Sequence, residues 1–204
     1  EIIKRMWTED RASYEGKYYR IREAVCEPKP LQKPHPPIWI GVIGGFPGGE
    51  EESFQRGRER IGEEKALMTA AAKHADVWNN TPTTPEVYKK RLEVLKEYCL
   101  RVGRDYGEID KSLETQVLIA ADQKALNKAM DRIKNLNPLQ RFYGPTDIYE
   151  KFCIVGTPED CIKQIKGFTD LGVTYFMLWF LDFPSLEGIR LFAEEVMPHF
   201  RSSP

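Results

Sequence analysis

The apolar residues of this chain fall into a few short runs, separated by stretches in which they recur every three or four positions. Three runs are nearly unbroken: "PIWIGV" (37–42), "ADVWN" (75–79) and "VTYFMLWF" (173–180). A fourth, "LETQVLIAAD" (113–122), turns apolar after a polar start. Runs of this length and composition predict strands, and near-continuous apolarity predicts strands covered on both faces. The helical rhythm predicts helices over 62–74, 83–103, 123–135, 158–171 and 185–200. Their ends carry punctuation. Thr84 before Pro85, Thr157 before Pro158, and Ser185 read as N-caps, and Gly103 reads as a stop. In 62–74, Leu67, Ala70, Ala71 and His74 mark the expected inner face. Upstream, "EIIKRMW" reads as a helix, "SYEGKYYRI" as a small hairpin turning at Glu15-Gly16, and the prolines of 28–37 as an extended lead-in. Residues 136–152 read as irregular. No capping residue precedes the first helix, so an upstream part is expected.

Helices alternate with strands, the order of right-handed βαβ units and a parallel sheet. Four such strands are half of an eight-fold (β/α) barrel; an open four-stranded sheet fits the same order. The 204 residues are enough for one sizeable core. The expected organisation is one α/β domain over 1–204, incomplete at its N-terminus, with a charged insertion loop at 46–60. Half a barrel leaves "PIWIGV" and "VTYFMLWF" as apolar open edges. The chain is therefore expected to pair with a missing N-terminal half or to form a homo-oligomer.

Composition narrows the function classes. Net charge is −1, so no bulk field draws nucleic acid or an anionic membrane. No run approaches the ~20 apolar residues of a membrane span. Cys26, Cys99, Cys153 and Cys161 lack metal-ligand spacing, which points to reduced thiols in a cytoplasmic protein and to no metal. Trp39, Trp78 and Trp179 lie in strands and are expected in the core. Lys89, Lys90 and Arg91 read as a solvated helix face. His35, His74 and His199 receive no catalytic role, and Asp182 reads as a turn acid before Pro184.

Parallel α/β folds place their sites at the carboxyl ends of the strands. There Gly41, Val42, Gly44 and Gly45 would let a ligand approach the backbone. Gly62 and Lys65 open the following helix, where free N–H groups suit a phosphate, so a phosphate end is expected near Gly41 and the start of the 62–74 helix. Asn79, ending the next strand, can donate to or accept from a polar ring edge.

"SYEGKYYRI", "PKPLQKPHPPIWIG", "AAKHADVWN", "GRDYGEI" and "VGTPEDCIKQIKGFTDLGV", in this order, resemble the bacterial-luciferase-like flavin and deazaflavin oxidoreductases, most nearly the branch dependent on coenzyme F-420. The resemblance runs from about residue 1 to 200. It implies the carboxyl half of a TIM barrel and hydride transfer between a deazaflavin and a small organic substrate. A flavin mononucleotide (FMN) monooxygenase, or a truncated non-catalytic cofactor-binding relative, is the alternative. In the family the strand runs directly into "GGGGEK" and a helix. Here "IGGFPGGEEESFQRGRER" intervenes before "IGEEKALM", so that either Gly44-Gly45 or Gly62 is expected to face the cofactor. The family's four earlier strands, whose loops help build the cleft, have no counterpart in this sequence.

Overall fold

A computed structural model describes residues 1–42, 61–135 and 150–201. The chain separates into two compact units, 1–38 and 39–204. In the first, helix α1 (Ile2–Thr8) precedes an antiparallel hairpin of β1 (Ala12–Glu15) and β2 (Arg20–Ala24). Lys29 donates its ammonium to the carbonyls of Met6 (3.1 Å) and Glu9 (2.8 Å). This satisfies orphan acceptors where α1 ends and places a positive charge at the negative end of its dipole. His35 packs near Trp7, with ring centroids 6.1 Å apart.

The second unit holds β3 (Trp39–Val42), α2 (Ile61–His74), β4 (Val77–Asn80), α3 (Pro85–Val102), β5 (Asp110–Ile119), α4 (Gln123–Lys134), β6 (Ile154–Gly156), α5 (Pro158–Thr169), β7 (Val173–Phe180) and α6 (Glu187–Leu191). All strand pairs in it are parallel. The order is β3-β4-β5-β7, and the three-residue β6 joins β5 near its carboxyl end. The expected strands are present, with shifted ends. β5 begins three residues before the apolar run, at Asp110-Lys111-Ser112, because polar side chains are tolerated on one of its faces.

Cap chemistry sets the helix boundaries. Thr84 Oγ1 accepts from Val87 N, Pro85 opens α3, and Gly103 closes it in the left-handed region at φ 71°. Thr157 and Asp160 form a reciprocal capping box on α5. The last helix differs from expectation. Its N-cap is Leu186, which makes no side-chain cap bond, and Ser185, one position further out, accepts at Oγ from Glu187 N (3.1 Å). Beyond Leu191 the chain continues through a wide turn at Phe192–Val196 and a tight one at Met197–Phe200. Asp182 Oδ2 accepts from Gly188 N (2.8 Å), so this acid anchors the helix start. A Cβ on residue 188 would lie 2.9 Å from both Asp182 carboxylate oxygens, so a side chain there would displace this carboxylate.

The even-numbered residues of β4, the odd-numbered ones of β5 and, beyond an irregularity that leaves Val173 on the same side, the even-numbered ones of β7 from Phe176 on face the helices. Trp78, Leu113 and Phe176 pack with Met68, Ala71, Ala72 and Ala75 around α2 and with Tyr88, Leu92 and Leu95 of α3. The inner face of α2 is thus one position on from Leu67, which is exposed. Val117, Ile119, Leu178 and Phe180 pack with Ile165 of α5 and with Phe192 and Val196. The opposite sheet face carries Trp39, Gly41, Asn79, Ser112, Glu114, Gln116, Tyr175, Met177 and Trp179, as the register requires. Trp39 and Tyr175 come from the two outer strands, which would be ~14 Å apart in a flat sheet. Their ring centroids are 5.5 Å apart. The sheet therefore curls, and this second face is concave, as in a section of barrel wall.

Trp39 and Trp179 overturn the expectation that all three tryptophans are core. Trp78 is fully buried, whereas Trp39 and Trp179 are 42% and 57% exposed. β7 is apolar at nearly every position, yet only alternate residues meet helices. Arg91 is likewise no solvated residue: its Nη1 donates to Asn80 Oδ1 at 2.6 Å, reaching a fully buried amide at the end of β4.

Candidate functional site on the concave face

β3 and β4 pair so that Gly41 lies beside Asn79, and β4 and β5 so that Asn79 lies beside Ser112. These residues form one rung across three strands on the concave face. A Cβ built on Gly41 would meet no atom of the described residues within 4 Å. Among the described residues the space above this glycine is open, and backbone is presented to it.

The rung is polar and internally ordered. Ser112 Oγ donates to Asn79 Oδ1 at 2.7 Å, and Asn79 Nδ2 donates to Glu114 Oε2 at 3.3 Å. Ser112 is fully buried, while Asn79 and Glu114 are partly exposed. One layer further along β5, Gln116 accepts from the Cys153 thiol at 3.9 Å. Burial pushes the Cys153 thiol up to about 12, so it stands there as a neutral donor. Beyond it, Leu118 and Ala120 are covered by Leu126, Met130 and Ile133 of α4. On the neighbouring strand β7, Met177 and Trp179 stand beside Glu114 and Gln116. The concave face is thus bounded by the Trp39–Tyr175 pair at one end and α4 at the other, with a polar floor and an aromatic wall.

Of the candidates read from sequence, Gly41 and Asn79 are brought together here. Val42 pairs with Asn80, one step beyond this rung. Gly62 lies in the first turn of α2, the crossover between parallel β3 and β4, so that this turn is at the carboxyl end of both strands. Lys65 is exposed on α2. Gly44, Gly45 and the 46–60 insertion lie outside the described residues. Glu114 and Ser112 were not singled out, although the alternation Ser112-Leu113-Glu114-Thr115-Gln116-Val117 is the signal of a strand with one polar face. His74 sits in the last turn of α2 and His199 in the last turn of the chain's final helical segment. Among the described residues, no group of three His, Cys, Asp or Glu side chains is placed to hold a metal ion, and no helix is long and apolar enough to cross a membrane.

No family model matches the chain. It is similar to the F-420-dependent glucose-6-phosphate dehydrogenase of Segniliparus rotundus, 25% identical over 99% of this chain and 59% of the relative. It is also similar to the FMNH2-dependent dimethylsulfone monooxygenase of Pseudomonas putida, 23% identical over 98% of this chain and 56% of that protein. The structure of the F-420-dependent tetrahydromethanopterin reductase from Methanopyrus kandleri superposes with a TM-score of 0.70 at 18% identity. That match covers 98% of this chain and 61% of the reductase. The chain therefore spans about three-fifths of the length of the proteins it matches. The chain is thus similar in sequence to oxidoreductases named for F-420 or FMNH2, and in fold to an F-420-dependent reductase.

Proposed function

We propose that the protein is an oxidoreductase that uses coenzyme F-420 for hydride transfer to or from a small organic substrate. The observation that carries this reading is the Gly41–Asn79–Ser112 rung, open above the glycine and polar beside it, in a chain similar along its length to F-420-dependent enzymes. The residues fit a flat heteroaromatic ring: Gly41 leaves room against the backbone, and Asn79 and Glu114 offer a donor and an acceptor. The first turn of α2 with Gly62 and Lys65, together with the backbone at Val42 and the Gly44-Gly45 stretch, would take the phosphate end. When bound, the deazaflavin carries the hydride; the chain binds it, orients it and excludes water.

The remaining concave wall would come from the portion of such enzymes that this chain does not span, or from a second copy. The exposed Trp39 and Trp179 support such a cover. Reduced buried thiols support a cytoplasmic location. The similarity to a dimethylsulfone monooxygenase favours a second reading, an FMN-dependent monooxygenase.

Titrating the protein separately with F-420 and FMN, followed by ligand fluorescence, decides between them. The expected result is saturable binding with F-420 preferred. Preference for FMN establishes the second reading, and binding of neither overturns both.

A further inference from the structure

Building on the proposed cofactor site, we propose that Glu114 and Asn79 together read the imide edge of the bound ring, an N–H next to a carbonyl. Asn79 lies between a hydroxyl and a carboxylate. Its nitrogen donates to Glu114; the flipped amide would set its oxygen against the carboxylate oxygens. The fully buried Ser112 donates to the amide oxygen and holds this orientation.

Both groups keep spare capacity. The amide nitrogen has two hydrogens and gives one to Glu114. The carboxylate has about four acceptor sites and uses one for Asn79. The pair therefore shows an acceptor and a donor side by side on the concave face, next to the open space over Gly41. The complementary ligand edge is a donor beside an acceptor. An imide has this pattern, and flavins and deazaflavins share it. A phosphate at this rung would face the Glu114 charge, which separates the ring end of the site from its phosphate end.

The test compares FMN with FMN methylated on its imide nitrogen, and F-420 with either, in the wild-type protein and in the Glu114→Gln and Glu114→Ala variants. The readout is Kd by fluorescence titration, with circular dichroism and thermal melting to confirm folding. Wild type is expected to bind unmethylated FMN about tenfold more tightly than the methylated ring, as for a hydrogen bond to a charged acceptor. In Glu114→Ala the two affinities are expected to converge to within about twofold, with F-420 binding weakened to a similar degree. The isosteric Glu114→Gln keeps the shape of the site and is expected to lose most of the discrimination. A methylation ratio unchanged in both variants, or absent in a wild type that binds the ring, overturns this inference alone. A wild type that binds neither F-420 nor FMN overturns the functional reading and this inference with it.

Discussion

Placing a side chain on Gly41 separates folding from binding, because the two should move in opposite directions. Gly41 lies inside β3, and its Cβ position is empty to 4 Å among the described residues. Its φ lies outside the left-handed region, so an L residue fits without strain. Gly→Ala at such a site stabilises by about 0.4–1 kcal/mol, chiefly by restricting the unfolded chain. For a protein of this size each kcal/mol moves Tm by about 2–4 °C, so Gly41→Ala should melt about 1–4 °C higher. Gly41→Val should fold equally well, since β-branched side chains suit a strand. Binding should respond the other way. A ring lying on the glycine backbone needs carbon contacts of about 3.5–4.0 Å, and a new methyl occupies that space. F-420 affinity is expected to fall about tenfold for Ala and further for Val. Paired melting curves and fluorescence titrations measure both effects on one preparation. Unchanged affinity in Gly41→Val would refute the placement of the ring on this rung. A lowered Tm in Gly41→Ala would refute the openness of the site.

Tyr88 is fully buried, donates its hydroxyl to the Ser112 carbonyl at 3.1 Å, and packs against Trp78 and Phe168 at centroid distances of 5.4 and 5.7 Å. Tyr88→Phe should cost about 1 kcal/mol and Tyr88→Ala about 3–5 kcal/mol in urea unfolding; equal losses would rule out ring packing as the larger contribution. The thiols of Cys153 and Cys161 are both raised to about 12 by burial. Neither should react with a disulfide reagent at pH 8 in the folded protein, while the partly exposed Cys26 should. Their folded pKa exceeds the unfolded value of about 8.5, so their contribution to stability is complete below that pH. It is lost as pH rises toward about 12; urea midpoints that stay level from pH 8 to 11 would contradict this.

The helix starts were legible because their chemistry is local. Thr84-Pro85 and Thr157-Pro158-Glu159-Asp160 satisfy orphan N–H groups within one turn, and no distant contact is needed. The strands were legible as apolar runs, but their faces were not. In "VTYFMLWF" apolar residues occupy both faces, so composition does not show that Tyr175 and Trp179 point away from the helices. Position 79 was readable as a strand-end amide. The role of Glu114 was not, since its partner is 35 residues away and the two meet only through the register of β4 on β5. Arg91 was misread for a similar reason: the sequence shows a basic helix stretch, and only the packing of α3 brings its guanidinium to Asn80.

β5 is hydrogen-bonded along both edges, to β7 on one side and to β4 and β6 on the other, whereas β3 is held by β4 alone among the described pairings. Amide protons in the centre of β5 are thus shielded from exchange until the sheet as a whole opens. Those of β3 are released by the loss of a single four-residue ladder. The glycine of the proposed rung sits on a strand held along one edge, and Ser112 and Glu114 sit on the one held along both. A ligand bridging the two would fasten a strand held along one edge to one held along both, so that occupancy of the site and order in β3 become the same event.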